Sequence, residues 1–401
     1  MHNYRSQAKR FPEPDWNAVI LSGAPIDLAE SADQVFTDAG GILGQYHHNR
    51  ESGYEYTLRN QNLAHYIGRE PDPLLNRIFG FAVSSGQLVL QNGLLCTAGP
   101  VRFLELTIAS LTQTASEPAA WMNAVKVLLQ RHGHETQESW LAHKRIWNDF
   151  WNNSFIFASG DPDAEKVTRG YLYQRYFHRA GGLGAWPILF TGSIFTTHED
   201  GAGNFDCRNW GGPYWIQNTR LIYWSILYSG DFALMQPFLK MILAMVPISR
   251  ERVRTYFRHR GILIPETVTF FGTYSNMCYG FAGADGVHKG GWQRNITARL
   301  PGDIPNTYIR WHFNGMLEIA CLMLEYVQYA QDREFLNSAL AFAEEVLLFF
   351  HEHFENHEHY AQDDHKLLLF PVSALETWQI CANDAPDIAG LQALTAAVLD
   401  R

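Results

Sequence analysis

The sequence predicts a mainly α-helical protein with an N-terminal β domain, in which a β-sandwich-like region is followed by helical hairpins. Short β-prone runs, broken by Gly, Asn and Pro, fill roughly the first 125 residues. Helical spacing begins near residue 135, and two later segments, 221–247 and 316–350, each read as a helix, a tight turn and a second helix. Such repeated hairpins suggest an array whose neighbours bury one another's apolar faces.

The β-rich domain, residues 1–125, is predicted from three stretches with alternating or β-prone residues. These stretches are YEYTLRNQNLAHYIG (54–68), GFAVSSGQLVLQNGLLC (80–96) and FLELTIASLT (103–112). We expect a helical linker over 126–140 and a helical-hairpin domain over 141–401.

Local signals mark helices in the second domain. The stretch ETQESWLAHKRIWNDFW (135–151) has helical spacing. Asp161 followed by Pro162 is typical of a helix start, because the carboxylate accepts from a free N–H group and the proline sacrifices no hydrogen bond there. Asp231 and Asp332 stand where the second helix of each hairpin needs an N-cap.

The composition limits the classes of function. The 401 residues are 14% aromatic and 18% charged, with a net charge of -10 and no basic run. We therefore expect no nucleic-acid partner, because phosphate binding needs a positive surface. No apolar run approaches the ~18 residues of a bilayer span, and the N-terminus lacks the apolar core of a secretory signal. We expect no membrane partner, and a cytoplasmic protein unless a leader is missing.

Metal and cofactor signals are weak. The five cysteines are scattered without CxxC spacing, which indicates reduced thiols. Phosphate-loop, dinucleotide and HExxH motifs are absent from the sequence, so no cofactor is expected. His353 and His357 in HEHFENHEHYAQDDH (351–365) are four apart and could share a face toward a metal. Because the stretch runs off a helix end and alternates His with Glu, we interpret it as a solvated hairpin tip.

The stretch CRNWGGPYWIQNTRLIYW (207–224) combines rigid rings with amides and arginine. Sugar rings stack on aromatic faces while Asn, Gln and Arg bond their hydroxyls, so this mixture is typical of a carbohydrate site. If a helix begins near Tyr214, its first two turns carry Gln217, Asn218 and Arg220. The residues assigned to substrate binding are Trp210, Tyr214, Trp215, Gln217, Arg220, Trp311, His312 and Trp378. The alternative is that the amides cap the helix while the aromatics pack.

Two glutamates lie in apolar sequence surroundings. Glu266 belongs to ILIPETVTFFGTYSN (262–276), where desolvation would raise the pKa of a carboxyl group. Glu376 belongs to LLLFPVSALETWQI (367–380), an environment expected to keep a carboxyl protonated near neutral pH, as a general acid requires. The alternatives are a loop Glu266 paired with an arginine at 254, 258 or 260, and a Glu376 at a helix N-terminus.

From about residue 135 to 390 the chain resembles the six-hairpin glycosidases. In particular it resembles glycoside hydrolase family 95, which contains α-L-fucosidases and α-L-galactosidases, and uncharacterised bacterial relatives. The motifs that carry the resemblance are AWPILFTGSIF (185–195), WIQNTRLIYW (215–224), NGMLEIACLMLEYVQYAQDREFL (314–336) and PVSALETW (371–378). The resemblance implies an (α/α)6 toroid of six hairpins. The sequence has only about seven recognisable helices after residue 135, so we expect the toroid to be incomplete at the C-terminus.

The resemblance also implies site roles. Glu376 matches the family's general acid, which in the family follows Pro-Ser-x-Ser-Pro. Asn218 matches the second of two asparagines that position the nucleophilic water. The first is replaced by Ile216, so the pair is intact only if Gln217 substitutes for it. The family's partner carboxylate lies beyond the acid, and on this reading beyond Arg401. Glu266 is then the best local candidate for a second carboxylate.

These observations together predict an inverting glycoside hydrolase acting on an oligo- or polysaccharide. The catalytic residues would be Glu376, Glu266 and Asn218, with no metal. A non-catalytic or truncated carbohydrate-binding protein is the main alternative, because the asparagine pair is altered and the partner carboxylate is missing. A polysaccharide lyase that uses Tyr and His is a further alternative.

Overall fold

A computed structural model of the chain describes residues 9–10, 29–38, 41–91, 94–132, 136–191, 212–280, 301–355 and 367–400. About half of it is helical, and a small sheet region precedes the helices, which confirms the predicted fold class in this coarse form. The described chain divides into two compact units. Among the described residues, the first unit contains 9–10, 29–55 and 71–150, and the second contains 56–70 and 151–400.

The first unit is built on a four-stranded antiparallel sheet. Its strands are β1 (Lys9–Arg10), β2 (Ala29–Glu30), β3 (Gln34–Thr37), β4 (Ile42–His48), β5 (Arg77–Ser84), β6 (Leu88–Gln91), β7 (Leu94–Thr97) and β8 (Thr107–Thr114). Its helices are α1 (Tyr54–Asn60), α2 (Pro118–His132) and α3 (Thr136–Asn153). The last residues of α1 and of α3 belong to the second unit. The sheet has the order β3-β4-β5-β8, and β1-β2 and β6-β7 form separate pairs. Every residue of β4 is buried, whereas β8 alternates in burial. A Cβ at Gly80 would lie 2.1 Å from the carbonyl oxygen of Gln45, so β4 and β5 approach closely there.

Helix α2 covers one face of this sheet. Trp121 is fully buried in a cluster with Tyr46, Ile78 and Ala82, and its indole Nε1 donates to the carbonyl oxygen of Leu111 at 3.0 Å. Among the described residues the sheet therefore packs against a helix, where the sequence predicted a sandwich-like region.

The stretch 54–68, predicted as β, begins as helix α1. Ser52 accepts from the backbone N–H of Tyr54 at 3.0 Å and starts the helix, while Glu55 and Arg59 complement its dipole at the two ends. Tyr54 and Leu58, four residues apart, are buried. The prediction of β structure was wrong here, because it gave more weight to the β-prone aromatic residues than to the helical spacing of Tyr54 and Leu58.

The second unit is helical. Its elements are α4 (Pro162–Gly181), β9 (Tyr214–Trp215), α5 (Ile216–Tyr228), α6 (Gln236–Ala244), α7 (Val246–Phe257), β10 (Thr267–Val268), α8 (Asn276–Tyr279), α9 (Asn314–Ala330), α10 (Leu336–Glu355), β11 (Val372–Ala374), β12 (Trp378–Cys381) and α11 (Ala385–Leu399), with 3-10 turns at Ala64–Tyr66 and Phe232–Leu234. Helix α9 packs against α5, α10 and α11 and forms the centre of this unit. The predicted hairpin over 316–350 corresponds to α9 and α10.

One apolar stretch, Phe232–Phe257, satisfies the length and composition of a membrane span. Its most apolar window has a mean hydropathy of 1.6, and 56% of that window is buried inside the protein. This corrects the expectation that no apolar run approaches such a length. The stretch is interrupted at Met245, where α6 ends before α7 begins. A buried core helix passes the same test, because it packs on several sides.

The two aspartates predicted as N-caps behave differently. Asp332 accepts from the backbone N–H of Phe335 at 3.1 Å, just before α10, as a cap does. Asp231 makes no side-chain cap bond. Its carboxylate instead forms a buried, bidentate ion pair with Arg175 of α4, with Nη2 to Oδ1 at 2.8 Å and Nε to Oδ2 at 3.1 Å. The N-cap prediction was therefore wrong for Asp231, because a buried guanidinium occupies its carboxylate.

The N-cap of α4 is the clearest local prediction that the structure confirms. Asp161 Oδ1 accepts from the N–H groups of Asp163 at 2.8 Å and Ala164 at 2.9 Å. We expect Asp161→Ala to lower the free energy of unfolding by about 1 kcal/mol, measured by urea denaturation. Asp163→Ala is the matched control, because Asp163 is 87% exposed and pairs only with the exposed Lys166 among described contacts. Equal losses in both variants would contradict the capping role.

His353 lies in the core instead of at a solvated tip. It is 3% exposed near the end of α10 and stacks on Phe349, with ring centroids 4.9 Å apart. Its Nδ1 lies 2.9 Å from Nε2 of His259. The aromatic neighbours explain this correction, since an imidazole packs well against rings. His357 lies outside the described residues.

Candidate functional site

The stretch that begins at residue 207 enters the described structure at residue 212, so Trp210 lies outside the described residues. A short strand, β9, precedes the helix, and α5 begins at Ile216, two residues later than expected. Strand β9 pairs antiparallel with β10, with Trp215 opposite Thr267. This pairing brings Glu266, the residue before β10, to the first turn of α5.

Glu266 caps α5 from outside the helix. The backbone N–H of Ile216 donates to the carbonyl oxygen of Glu266 at 2.9 Å, and the N–H of Gln217 donates to its Oε1 at 3.0 Å. The first turn of a helix leaves such N–H groups unsatisfied and carries a partial positive charge, which favours a carboxylate. Glu266 is only 3% exposed, so its carboxyl group lies inside the protein.

His312 lies against the other oxygen of Glu266. Its Nδ1 is 3.3 Å from Oε2, and both side chains are almost fully buried. Burial lowers the pKa of His312, but the negative charges of Glu266 and Asp384 act in the opposite direction, and the pKa of this imidazole is raised above its ordinary value. The arginine pairing considered for Glu266 is not what the structure has, since Arg254 pairs with Glu251 and Arg260 with Glu352.

Glu376 lies at the exposed turn of the β11–β12 hairpin. Neither the apolar environment nor the helix N-terminus expected for it is present. The N–H of Ser373 in β11 donates to the carbonyl oxygen of Trp311 at 3.0 Å and thereby ties the hairpin to the residue before His312. At the turn, Gln217 Nε2 donates to Glu376 Oε1 at 3.3 Å.

Gln217 therefore joins the two predicted carboxylates. It reaches Glu266 through its main chain and Glu376 through its side chain. The two glutamates are 49 and 159 residues away from Gln217 along the chain, so only the fold brings them together. Asn218 lies half-buried on the same turn of α5.

A third carboxylate, Glu318 of α9, was not predicted. Its Oε2 accepts from Arg220 at 2.6 Å and its Oε1 accepts from the indole of Trp224 at 2.6 Å. Arg220 also donates through Nε to the carbonyl oxygen of Gln217 at 3.0 Å. The signal that could have revealed Glu318 is its position as a charged residue inside the apolar run MLEIACLML.

The predicted aromatic residues separate into two groups. Trp215 belongs to a buried cluster, and the Tyr214 hydroxyl donates to the carbonyl oxygen of Pro187 at 3.0 Å, which favours the packing alternative for both. Burial raises the pKa of Tyr214, which keeps its hydroxyl neutral. Trp311 is half-buried, and Trp378 beside Glu376 is 67% exposed, so these two can present ring surface to a ligand.

The arrangement can position and polarise a hydroxylated ligand. It combines one accessible carboxylate and one buried carboxylate on either side of an amide, together with the imidazole of His312 and the guanidinium of Arg220. Within the described ranges, no group of three or more His, Cys, Asp or Glu side chains has the geometry to hold a metal ion. The carboxyl groups of these described residues are capable of acid–base chemistry.

Comparison with known proteins bears on the first unit. Residues 1–156 match the model of a domain of unknown function, DUF5703, in its N-terminal part. No curated protein matches the chain. Since all the site residues follow residue 156, the family match contains none of them. Over its first 156 residues, the chain is similar to the DUF5703 N-terminal domain.

Proposed function

We propose that the second unit is a glycoside hydrolase domain of the inverting type. The observation that carries the proposal is the bridge of Gln217 between Glu266 and Glu376, with one carboxylate buried and the other exposed. Inverting enzymes use two carboxyl groups separated by ~6.5 to 9.5 Å, which leaves room for a water molecule. Gln217 forms a hydrogen bond with Glu266 through its main chain and with Glu376 through its side chain. This arrangement fits two carboxyl groups that are kept apart by such a distance.

In this proposal each carboxyl group has a separate role. Glu376, at the exposed hairpin turn, protonates the glycosidic oxygen as the sugar leaves. Glu266, paired with His312, is the second carboxylate, which orients the attacking water on the opposite face of the sugar ring. Asn218 and Arg220 would bond the water or sugar hydroxyls, and Trp311 and Trp378 would stack on ring faces.

The helical unit would then be part of an (α/α)6 toroid of the six-hairpin glycosidase type, similar to family 95. Helix α9 packs against α5, α10 and α11, as neighbouring hairpins of such an array do. In that resemblance Glu376 matches the family's general acid, whereas Ile216 takes the place of an asparagine of that family. The proposal therefore leaves the sugar open and includes α-L-fucosides and α-L-galactosides among the substrates to test.

The test is hydrolysis of a panel of aryl α- and β-glycosides by the wild-type protein and by Glu376→Gln. Hydrolysis by the wild type that is lost in the variant would support the proposal and identify the sugar. Sugar binding in calorimetry without product would instead indicate a carbohydrate-binding protein. Products that absorb in the ultraviolet through a new double bond would indicate a lyase.

Gln217 offers a second test because its two bonds come from different parts of the residue. Gln217→Ala removes the amide that bonds Glu376 and keeps the main-chain N–H that bonds Glu266. We expect kcat to fall about tenfold, since a hydrogen bond to a charged group contributes about 1.5 kcal/mol. Stability should change little, because the side chain is half-exposed. Gln331→Ala, at an exposed site in the same unit, is the control, and unchanged kcat in Gln217→Ala would exclude a role for the bridge.

A further inference from the structure

Two buried carboxyl groups lie at the start of α11. Asp384 is the residue before the helix, and Asp387 lies in its first turn; their exposed fractions are 6% and 0%. Asp384 makes no side-chain cap bond to the helix. Among the described residues, none of the four carboxyl oxygens has a hydrogen-bond partner. The proposed hydrolysis uses neither group, so this arrangement needs a separate explanation.

If Asp384 and Asp387 shared one proton, the pair would carry one negative charge instead of two. The shared proton would also supply the hydrogen-bond donor that the carboxyl oxygens lack. Two ionised carboxylates buried side by side are strongly unfavourable, because each is desolvated and each repels the other. If one group is protonated, the pair carries a single charge, and the acid O–H can donate to the neighbouring carboxylate. Consistent with this, burial and then the charge of Asp384 raise the pKa of Asp387 to about 9.

The pair is electrically connected to the proposed site through His312. The charge of Asp384 contributes to the raised pKa of His312, and His312 Nδ1 lies 3.3 Å from Glu266. The other nitrogen, Nε2, is buried and lacks a hydrogen-bond partner in the described part of the chain. Helix α11 packs closely on α9, which begins two residues after His312: a Cβ at Gly390 would lie 2.9 Å from Leu317 Cδ1.

The charges that act on this cluster are few. Over the ranges that the structure describes, the charge acting on Asp387 is that of Asp384, and the charges acting on His312 are those of Glu266 and Asp384. The negative charges of Glu266 and Asp384 thus both act on His312.

We propose that Asp384 and Asp387 share one proton and act as a positioning pair, which holds a protonated His312 against Glu266. The pair does not touch the substrate. Its effect on hydrolysis rests on the proposed function, whereas the shared proton and its effect on His312 do not.

The first measurement is infrared spectroscopy of the full chain. In the wild type, the carbonyl stretch of a protonated carboxylic acid should persist at neutral pH. It should weaken in Asp387→Asn by the share of one carboxylic acid and keep its full intensity in Asp400→Asn, a control at the exposed far end of the same helix. Absence of this band in the wild type would overturn the proposal without the need for any variant of the pair to fold.

The second measurement is the NMR titration of His312, assigned by the loss of its signal in His312→Gln. We expect Asp384→Asn to lower the titration midpoint of His312, because the negative charge of Asp384 is removed. Asp387→Asn should not lower it, since Asp384 keeps its charge. Identical midpoints in the wild type and Asp384→Asn would overturn the connection.

Activity separates this proposal from the proposed function. If the wild type hydrolyses a glycoside, Asp384→Asn should lower kcat and move the alkaline limb of the pH profile downward in step with the His312 midpoint. The positioning role would be overturned if the titration midpoint of His312 changes in Asp384→Asn but the pH profile of kcat does not. If the wild type hydrolyses nothing, the proposed function fails, and the infrared and NMR results still decide whether the proton is shared.

Discussion

Glu376→Gln is expected to reduce the hydrolysis of an aryl glycoside by about 10²- to 10⁴-fold, the contribution of a positioned general acid. The amide keeps the shape of the side chain and can still meet Gln217, but it has no proton to give to the leaving oxygen. Because Glu376 is exposed at a hairpin turn, the thermal unfolding of the variant should match that of the wild type. The steady-state kcat and the melting temperature are the two measurements.

The leaving group makes this test specific for a general acid. An aryl group that withdraws electrons strongly leaves with little help from a proton. Hydrolysis of a glycoside that carries such a group should therefore be slowed least in Glu376→Gln. Hydrolysis of a glycoside with a poor leaving group should be slowed most. Glu334→Gln, at an exposed position in the same unit, is the control and should behave as the wild type. An equal loss for all leaving groups would assign Glu376 to binding rather than proton transfer.

Asp231→Ala is expected to have the largest effect on stability, a loss of about 3 to 5 kcal/mol in the free energy of unfolding. The substitution leaves the Arg175 guanidinium buried without its bidentate partner, although Arg175 still donates to the carbonyl oxygen of Ser154. Asn153, which donates to Asp231 Oδ1 at 3.2 Å, loses an acceptor as well. Denaturant unfolding followed by tryptophan fluorescence measures the loss.

A double variant separates the unpaired charge from lost packing. Arg175→Met with Asp231→Ala removes both charges and keeps an apolar side chain in the space of the arginine. It should recover much of the stability lost in Asp231→Ala, because a buried ion pair is worth little compared with apolar replacements. A double variant that is less stable than Asp231→Ala would show that the loss is due to packing.

Local features were predicted where neighbouring residues decide the structure. Asp161 and Pro162 mark the start of α4 because the N-cap needs only the next few N–H groups. The helix α1 was missed because aromatic residues and helical spacing gave conflicting signals within the same seven residues. Asp231 was misread because its partner, Arg175, is 56 residues away and no sequence spacing reveals a buried pair.

Prediction of the candidate site from the sequence has the same limit, because its contacts join residues that are distant along the chain. Glu266 and Glu376 were selected one by one from their apolar neighbours, but their link through Gln217 depends on the pairing of β9 with β10. Tyr214 and Trp215 were expected beside a ligand, and the same pairing buries them. A short strand of two residues has too little pattern to be recognised in a sequence, so these outcomes required the fold.

The β11–β12 hairpin gives the two carboxylates different freedom of movement. Its base is fastened by two bonds between Leu369 and Asn383, whereas Glu376 lies at the free turn, two residues beyond the last strand residue. Hairpins with strands of three and four residues have little stability of their own. Glu266, in contrast, is fixed by the main chain of a packed helix. If the proposed function holds, leaving groups of different size would be accommodated on the Glu376 side, where a short hairpin turn carries the carboxyl group.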